Sequence, residues 1–208
     1  MKNNFLNRIL SIFFLTPIYI FCVFKGGFAF NLLIFFLFIF SIFEISKLKL
    51  VYSRILLFLI FLTFLYSFYD IRYMTNGIKI IFLITFVTWF SDIGGYLFGK
   101  LIGGKKVNFI SPNKTISGYC GSIILAQLNL FYIYYFEINI YETFYRNSLF
   151  LFFCTLIVIF GDLFFSYFKR LNNLKDYSNL IPGHGGLLDR LDGFIFLVII
   201  FYIMNLII

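Results

Sequence analysis

Apolar positions fall in long unbroken runs along this chain, separated by short polar breaks. Seven runs approach the roughly 20 residues that carry a helix across a hydrocarbon core: about 9–24, 28–46, 54–70, 79–98, 117–136, 148–168 and 193–208. The third and last are short. The pattern predicts an all-α polytopic integral membrane helix bundle of about seven transmembrane helices. The first run follows "MKNNFLNR" with no small-residue cleavage site, so it reads as a retained span and not a signal peptide. No internal repeat is visible, and no loop is long enough to fold separately. One membrane domain is expected, with N-terminal spans in residues 1–80 and the polar chemistry in 81–208. The longest polar stretches, roughly 99–116 and 169–192, interrupt that second part.

Composition sharpens the class. Apolar residues make up 62% of the 208 and charged residues 12%, whereas a soluble domain is about a quarter charged. A soluble fold could not hide so much apolar surface. The 34 phenylalanines, with abundant Ile, Asn and Lys, fit AT-rich coding and carry little structural information one by one. Cys22, Cys120 and Cys154 lie in apolar surroundings without a C-x-x-C pair and read as small buried hydrophobes.

Charge then orients the bundle. With a cytoplasmic N-terminus and seven spans, the cytoplasmic loops receive 13 of the 17 Lys and Arg, and the opposite side receives Lys25, Arg72, Lys79 and Arg146. That bias satisfies the positive-inside rule and places both long polar stretches on the cytoplasmic side. The net charge of +8 is largely this asymmetry. Anionic membrane lipids are its natural partners. Nucleic acid is not, because the basic residues are spread over several membrane-proximal loops.

The acids are the informative residues. Asp162 lies about two turns before Lys169 and Arg170, which mark the interface, so it is submerged or nearly so. A carboxylate there must be paired, hydrated or bound to a cation. A salt bridge to Lys169 or Arg190 would serve equally well. Asp189 and Asp192, three apart, share a helix face, with Arg190 pointing elsewhere. Three converging carboxylates favour a hard cation such as Mg²⁺. Lys169, Arg170 and Lys175 can meet phosphate oxygens or simply anchor the helix. Gly183, Gly185 and Gly186 allow a sharp turn or close approach to a ligand. His184, the only histidine, has no His/Cys cluster around it, so zinc is not expected. Upstream, "WFSDIGGYLFGK" places Asp92 inside the fourth span, with Gly94 and Gly95 suited to close helix packing. In "ISPNKTISG", Ser111, Pro112, Asn113, Lys114 and Thr115 form a polar turn in which Thr115 or Ser117 caps the fifth span.

From Ser166 to Asp192 the sequence "SYFKRLNNLKDYSNLIPGHGGLLDRLD" resembles the signature of phosphatidate cytidylyltransferases, or CDP-diacylglycerol synthases. "SDIGGY" and "SPNKT" are similar to that family's upstream motifs, in the same order. The likeness covers roughly residues 85–193. It implies transfer of CMP from CTP to phosphatidate, giving CDP-diacylglycerol and pyrophosphate, with Mg²⁺ and in some members K⁺. It also implies that Asp162 and Asp189 are metal ligands with Asp192 close by, and that Lys169, Arg170 and Lys175 act in catalysis. Substrates would be held by Asp92, Ser111, Asn113, Lys114, Thr115, Ser166, Asp176, His184, Gly185, Gly186 and Arg190. A homodimer is the family precedent, and the bacterial inner (plasma) membrane, with the site facing the cytoplasm, is the expected location.

The residue chemistry agrees with that resemblance. A lipid phosphate is already anionic and needs no strong base; metal ions and Lys/Arg would bring two anions together and stabilise the leaving pyrophosphate. This chain also departs from the family. Phe165 and Ser117 stand where Glu is common, and "DIGGY" stands for D-T-G-A-Y, which would weaken a second metal position or alter nucleotide affinity. A related CTP-dependent enzyme acting on a polyprenol or another lipid phosphate is the neighbouring reading. A cation transporter would account for the buried acids but not for the long basic and acidic loop.

Overall fold

The computed structural model of the chain describes residues 2–106, 114–138, 140–181 and 185–207. Eight helices follow one another: α1 (Lys2–Lys25), α2 (Gly27–Ser46), α3 (Val51–Tyr73), α4 (Gly77–Leu101), α5 (Ile116–Ala126), α6 (Asn129–Tyr135), α7 (Phe144–Leu171) and α8 (Leu188–Ile207). Among the described residues there is no strand, only isolated bridges joining Lys106 to Thr115 and Ile181 to Gly185. The seven apolar runs become α1, α2, α3, α4, the α5–α6 pair, α7 and α8. Five of these are long and apolar enough to cross a membrane: α2, α3, α4, α5 with α6, and α7. In α8 the three charges at its start interrupt an otherwise apolar helix. This is an all-α integral membrane protein.

Each span buries a stripe and turns the rest outward. In α3 the buried residues Ser53, Leu57, Phe61, Phe64, Phe68 and Ile71 recur three or four apart, the spacing of one helix face. Phe64 and Phe68 stack with centroids 5.6 Å apart, and Phe194 of α8 meets them edge-on at 5.9 and 5.7 Å. Outward positions such as Phe28, Phe35, Phe131 and Phe153 stay exposed, which lipid tails tolerate as readily as a protein core does. The expectation for the cysteines holds for Cys22 and Cys154. Cys120 is exposed on α5, because the buried side of that helix is taken by Gly118, Gly121 and Ser122.

Glycines set the two closest helix crossings. A methyl group on Gly94 of α4 would collide with the backbone of Gly121 on α5, and one on Gly118 would come 2.9 Å from the Gly95 carbonyl. Close packing is therefore what Gly94 and Gly95 provide. On the other side of the bundle, a methyl on Gly161 of α7 would lie 2.7 Å from the Asp192 carbonyl, and one on Gly193 of α8 would lie 3.0 Å from that of Val158. The crossing of α7 and α8 thus falls between the pairs Gly161–Asp162 and Asp192–Gly193.

Polar contacts tie the two ends of the bundle. At one end the Asn172 side chain accepts from the Leu50 amide at 2.9 Å and donates to Ser53 Oγ at 3.2 Å. At the other, Arg72 donates to the Val23 carbonyl at 2.5 Å, and Lys79 donates to that of Phe136 at 3.0 Å. At the break between α5 and α6 side chains take up part of the hydrogen bonding that lipid cannot supply. Ser148 Oγ donates to Gln127 Oε1 at 2.9 Å, and the Asn129 amide donates to the Ala126 carbonyl at 2.9 Å. The breaks 47–50, 102–115 and 172–187 share one end, so the chain's acidic and basic motifs gather there.

Candidate active site

At that end a cavity of about 250 Å³ opens between α4, α5 and α7, lined by Asp92, Lys114, Thr115, Tyr119, Asp162 and neighbours on the three helices. Its floor is pinned by Ser122 Oγ, which donates to the Ser91 carbonyl at 2.7 Å. Ligand sites of full drug size run to about 300–1,000 Å³, so this space suits a phosphoryl group with an ion or waters. A larger cleft, about 720 Å³, lies beside α4 and α6 and is lined by Phe86, Phe90, Phe131, Tyr132 and further apolar residues with Asn129. It carries no charged group and none of the motif residues.

Lys114 reaches the cavity from the segment before α5. Thr115 caps that helix, its Oγ1 accepting from the Gly118 amide at 3.1 Å. Ser117, the other capping candidate, instead lies 3.0 Å from Thr115 Oγ1 and donates to the Gly103 carbonyl. The cap directs Lys114 inward, where its ammonium pairs with the carboxylate of Asp162. The salt bridge foreseen for Asp162 therefore exists with a different partner, since neither Lys169 nor Arg190 takes that place. The Lys114 and Asp162 side chains keep 36% and 19% of their surface exposed, and both face the cavity. Burial pushes the Lys114 ammonium below the ordinary lysine range. The Asp192 and Asp92 carboxylates oppose that shift, while Lys169 adds to it.

Lys169 is 9% exposed, so it does not reach out to headgroups. Its Nζ donates to Asp189 Oδ1 at 2.6 Å. Asp189 Oδ2 accepts from the amides of Tyr177 at 3.0 Å and Gly186 at 2.9 Å. Both oxygens of Asp189 are thus occupied. Asp192 accepts from its neighbour Gly193 at 2.7 Å and lies within electrostatic reach of Lys114, Lys169, Asp189 and Asp92. Arg190 is also within electrostatic reach of Asp92.

Other motif residues are not drawn in. Arg170 is exposed and donates to the Leu174 carbonyl at 3.1 Å, closing the end of α7. Lys175 and Asp176 are exposed on the following loop. Ser166 is buried within α7. Ser111, Asn113 and His184 lie outside the described residues. Phe165 is 1% exposed and packs edge-on against Tyr177 and Phe196, so the place of the common Glu is filled by an aromatic core contact.

Sequence reasoning passed over Glu44. This α2 carboxylate has no exposed surface. It accepts from Ser178 Oγ at 2.5 Å and from the amides of Leu187 and Leu188 at 2.6 and 2.8 Å. It therefore caps α8 from another helix, where the positive end of the helix dipole favours an anion. A methyl group on Gly186 would meet Glu44 Oε1 at 2.6 Å, so the close approach permitted by that glycine is to a protein carboxylate. A lone acid in an otherwise apolar run was the available signal.

These contacts bear on a divalent cation. Among the described residues no three His, Cys, Asp or Glu side chains form a ready-made cage. Among the described residues Asp92, Asp162, Asp189 and Asp192 nevertheless lie near three cations, Lys114, Lys169 and Arg190. Asp162 and Asp192 flank the helix crossing beside the cavity. A few hard oxygens, an excess of negative charge and room for water fit Mg²⁺, which usually keeps waters and shares its shell with substrate phosphates.

Comparison with known proteins adds an independent line. The model of the cytidylyltransferase family matches residues 47–208. A phosphatidate cytidylyltransferase of Staphylococcus aureus (strain COL) is 37% identical over 135 residues, covering 63% of this chain and 50% of that protein. The protein of the same name from Staphylococcus haemolyticus is 40% identical over 139 residues, with the same coverage. That from Bacillus subtilis (strain 168) is 35% identical over 150 residues, covering 66% and 51%. The chain spans about half the length of the curated relatives it matches. Glu44 falls just before the matched region.

Proposed function

Because the chain belongs to the cytidylyltransferase family, we propose that it transfers CMP from CTP to phosphatidate, yielding CDP-diacylglycerol and pyrophosphate. The observation that carries this reading is the meeting of Lys114, Asp162 and Asp92 around one cavity at the motif-bearing end of the bundle, with Asp192 within electrostatic reach of Asp92 and Lys114. In the reaction a phosphatidate oxygen forms a bond to the α-phosphorus of CTP, and the bond to the bridging oxygen of the β-phosphate breaks. Pyrophosphate leaves with that electron pair. The nucleophile is already anionic, so the side chains must hold two anions together and not extract a proton.

Lys114 and Lys169 supply the fixed positive charge. Each is held by a carboxylate, and an entering phosphate competes for the same ammonium. Asp162 and Asp192 would hold Mg²⁺, and Asp189 would join them by giving up Lys169. When bound, the ion supplies neutralising charge for the two phosphates and for the leaving pyrophosphate. The site lies at the cytoplasmic face of a bacterial plasma membrane in this reading, where CTP is available.

Purified protein in mixed micelles with labelled CTP, phosphatidate and Mg²⁺ provides the test. Label should pass into the lipid phase, and Asp162→Asn should reduce that transfer at least about a hundredfold, the scale of losing one preorganised charge contact, while the protein still inserts. No lipid-borne label at any Mg²⁺ concentration overturns the proposal. Label appearing only with a polyprenol or another lipid phosphate assigns the chain to that substrate.

A further inference from the structure

Two carboxylates divide the hydrogen-bond donors of the loop before α8 between them. Asp189 Oδ2 takes the amides of Tyr177 and Gly186 at 3.0 and 2.9 Å. Glu44 takes the next donors along, Ser178 Oγ and the amides of Leu187 and Leu188, at 2.5, 2.6 and 2.8 Å. Leu180 in turn donates its amide to Ser178 Oγ at 3.2 Å, and the Tyr177 hydroxyl donates to the Phe165 carbonyl at 3.0 Å. We infer that Glu44 is a positioning residue for the site. By holding residues 178 and 187–188 against α2, it fixes where the first turn of α8 presents Asp189 and Asp192. Its consequence for metal and substrate rests on the function proposed above.

A helix start needs an acceptor for its free amides, and an Asp or Ser at the preceding position ordinarily supplies it. Leu187, the residue before α8, has no side-chain acceptor. The acceptor comes instead from 143 positions earlier in the chain, and it is a carboxylate with no exposed surface. A local cap would steady the helix equally well without a buried charge, whose desolvation is costly. What the distant carboxylate adds is a fixed place for the start of α8 relative to α2. The neighbouring glycines show how closely the two acids hold the loop. A methyl on Gly185 would come 3.2 Å from Asp189 Oδ2, and one on Gly186 would come 2.6 Å from Glu44 Oε1. One turn farther along, the crossing at Gly161 and Gly193 sets α8 against α7. Asp189 and Asp192 lie between these two fixed points, so the Glu44 clamp and the crossing together place the backbone that carries both acids. Glu44 acts through that loop and helix.

The test compares the full chain in detergent with Glu44→Gln, which keeps the shape but turns one acceptor oxygen into an NH2 group that cannot accept. Asn147→Leu serves as the comparison. Asn147 is buried at the far end of α7, where it accepts from the Tyr141 amide at 3.2 Å and donates to the Tyr141 carbonyl at 3.1 Å. Mn²⁺ binding without substrate is followed by electron paramagnetic resonance, and unfolding by thermal melting. The Mg²⁺ dependence of CDP-diacylglycerol formation is measured in mixed micelles. At a temperature where it is fully folded, Glu44→Gln should weaken Mn²⁺ binding about 10-fold or more, the scale of losing a group that orients a metal ligand. The half-maximal Mg²⁺ concentration should rise in parallel. Asn147→Leu should lose stability and keep both constants. Unchanged Mn²⁺ binding in Glu44→Gln overturns the inference, as does an equal loss of binding in Asn147→Leu. Should Glu44→Gln fail to fold, Ser178→Ala, which removes one donor and leaves the carboxylate in place, is judged by the same outcomes. If the unsubstituted protein makes no CDP-diacylglycerol, the proposed reaction fails by itself. Weaker Mn²⁺ binding by Glu44→Gln then still upholds the inference, and unchanged or absent Mn²⁺ binding overturns it.

Discussion

Glu44 does more for the site than its position in an apolar run suggests. Its carboxylate gathers Ser178 and the first amides of α8, and one residue further on Asp189 gathers Lys169, Tyr177 and Gly186. Replacing Glu44 by Ala leaves three donors without a partner, at about 1–3 kcal/mol each. Glu44→Ala should therefore lower stability by about 3 kcal/mol or more in detergent unfolding, and Glu44→Gln, which keeps an acceptor oxygen, should lose less. Equal stability of Glu44→Ala and the unsubstituted protein would show that the cap is not needed. Asp162 and Asp92 stood out in the sequence as candidates because an acid inside an apolar run is costly wherever it sits. Their partners did not, since Lys114 is 48 positions before Asp162 in the chain and helical spacing relates only near neighbours.

At the scale of elements, the crossing of α7 and α8 decides where Asp162 and Asp192 stand relative to each other. Gly161 and Gly193 let the two backbones touch, and each carries its aspartate as a direct neighbour. A Gly161→Ala methyl would meet backbone atoms of Asp192 and Gly193 at 2.7 and 3.1 Å, which cannot rotate away as a side chain would. Overpacking of this kind costs about 1–3 kcal/mol. The proposed CDP-diacylglycerol formation should fall by more than the loss of folded protein accounts for, because the helices separate next to the acids. Parallel losses in both measurements would remove the crossing from the account of the site. The spans were readable as apolar runs, yet "IFGDLFF" and "RLDGFIF" do not announce that they pack against each other.

For the whole molecule, Thr75 lies in the break between α3 and α4, while Asn179 lies in the loop before α8, at the opposite end of the bundle. Both are exposed. In a cysteine-free background, Asn179→Cys should react with an impermeant maleimide only after the cells are opened. Thr75→Cys should react in intact cells. The reverse pattern would invert the orientation drawn from the Lys and Arg count. The N-terminal spans also prove to be part of the site's support. Glu44 of α2, with Leu50 and Ser53 at the start of α3, fastens the loop and α8 from outside the motif region.

The sequence by itself determined that the chain is a membrane bundle of apolar helices, which residues are too costly to submerge without a purpose, and which family its long gapped motif resembles. Those properties are local: the cost of moving a helix or a charge into lipid depends on the residues in that stretch. Only the tertiary structure decided that Lys114 pairs with Asp162 and Lys169 with Asp189, that Glu44 caps α8, and that Arg170 and Lys175 face outward. Such pairings depend on which backbones can approach closely, and glycines on separate helices set that approach together.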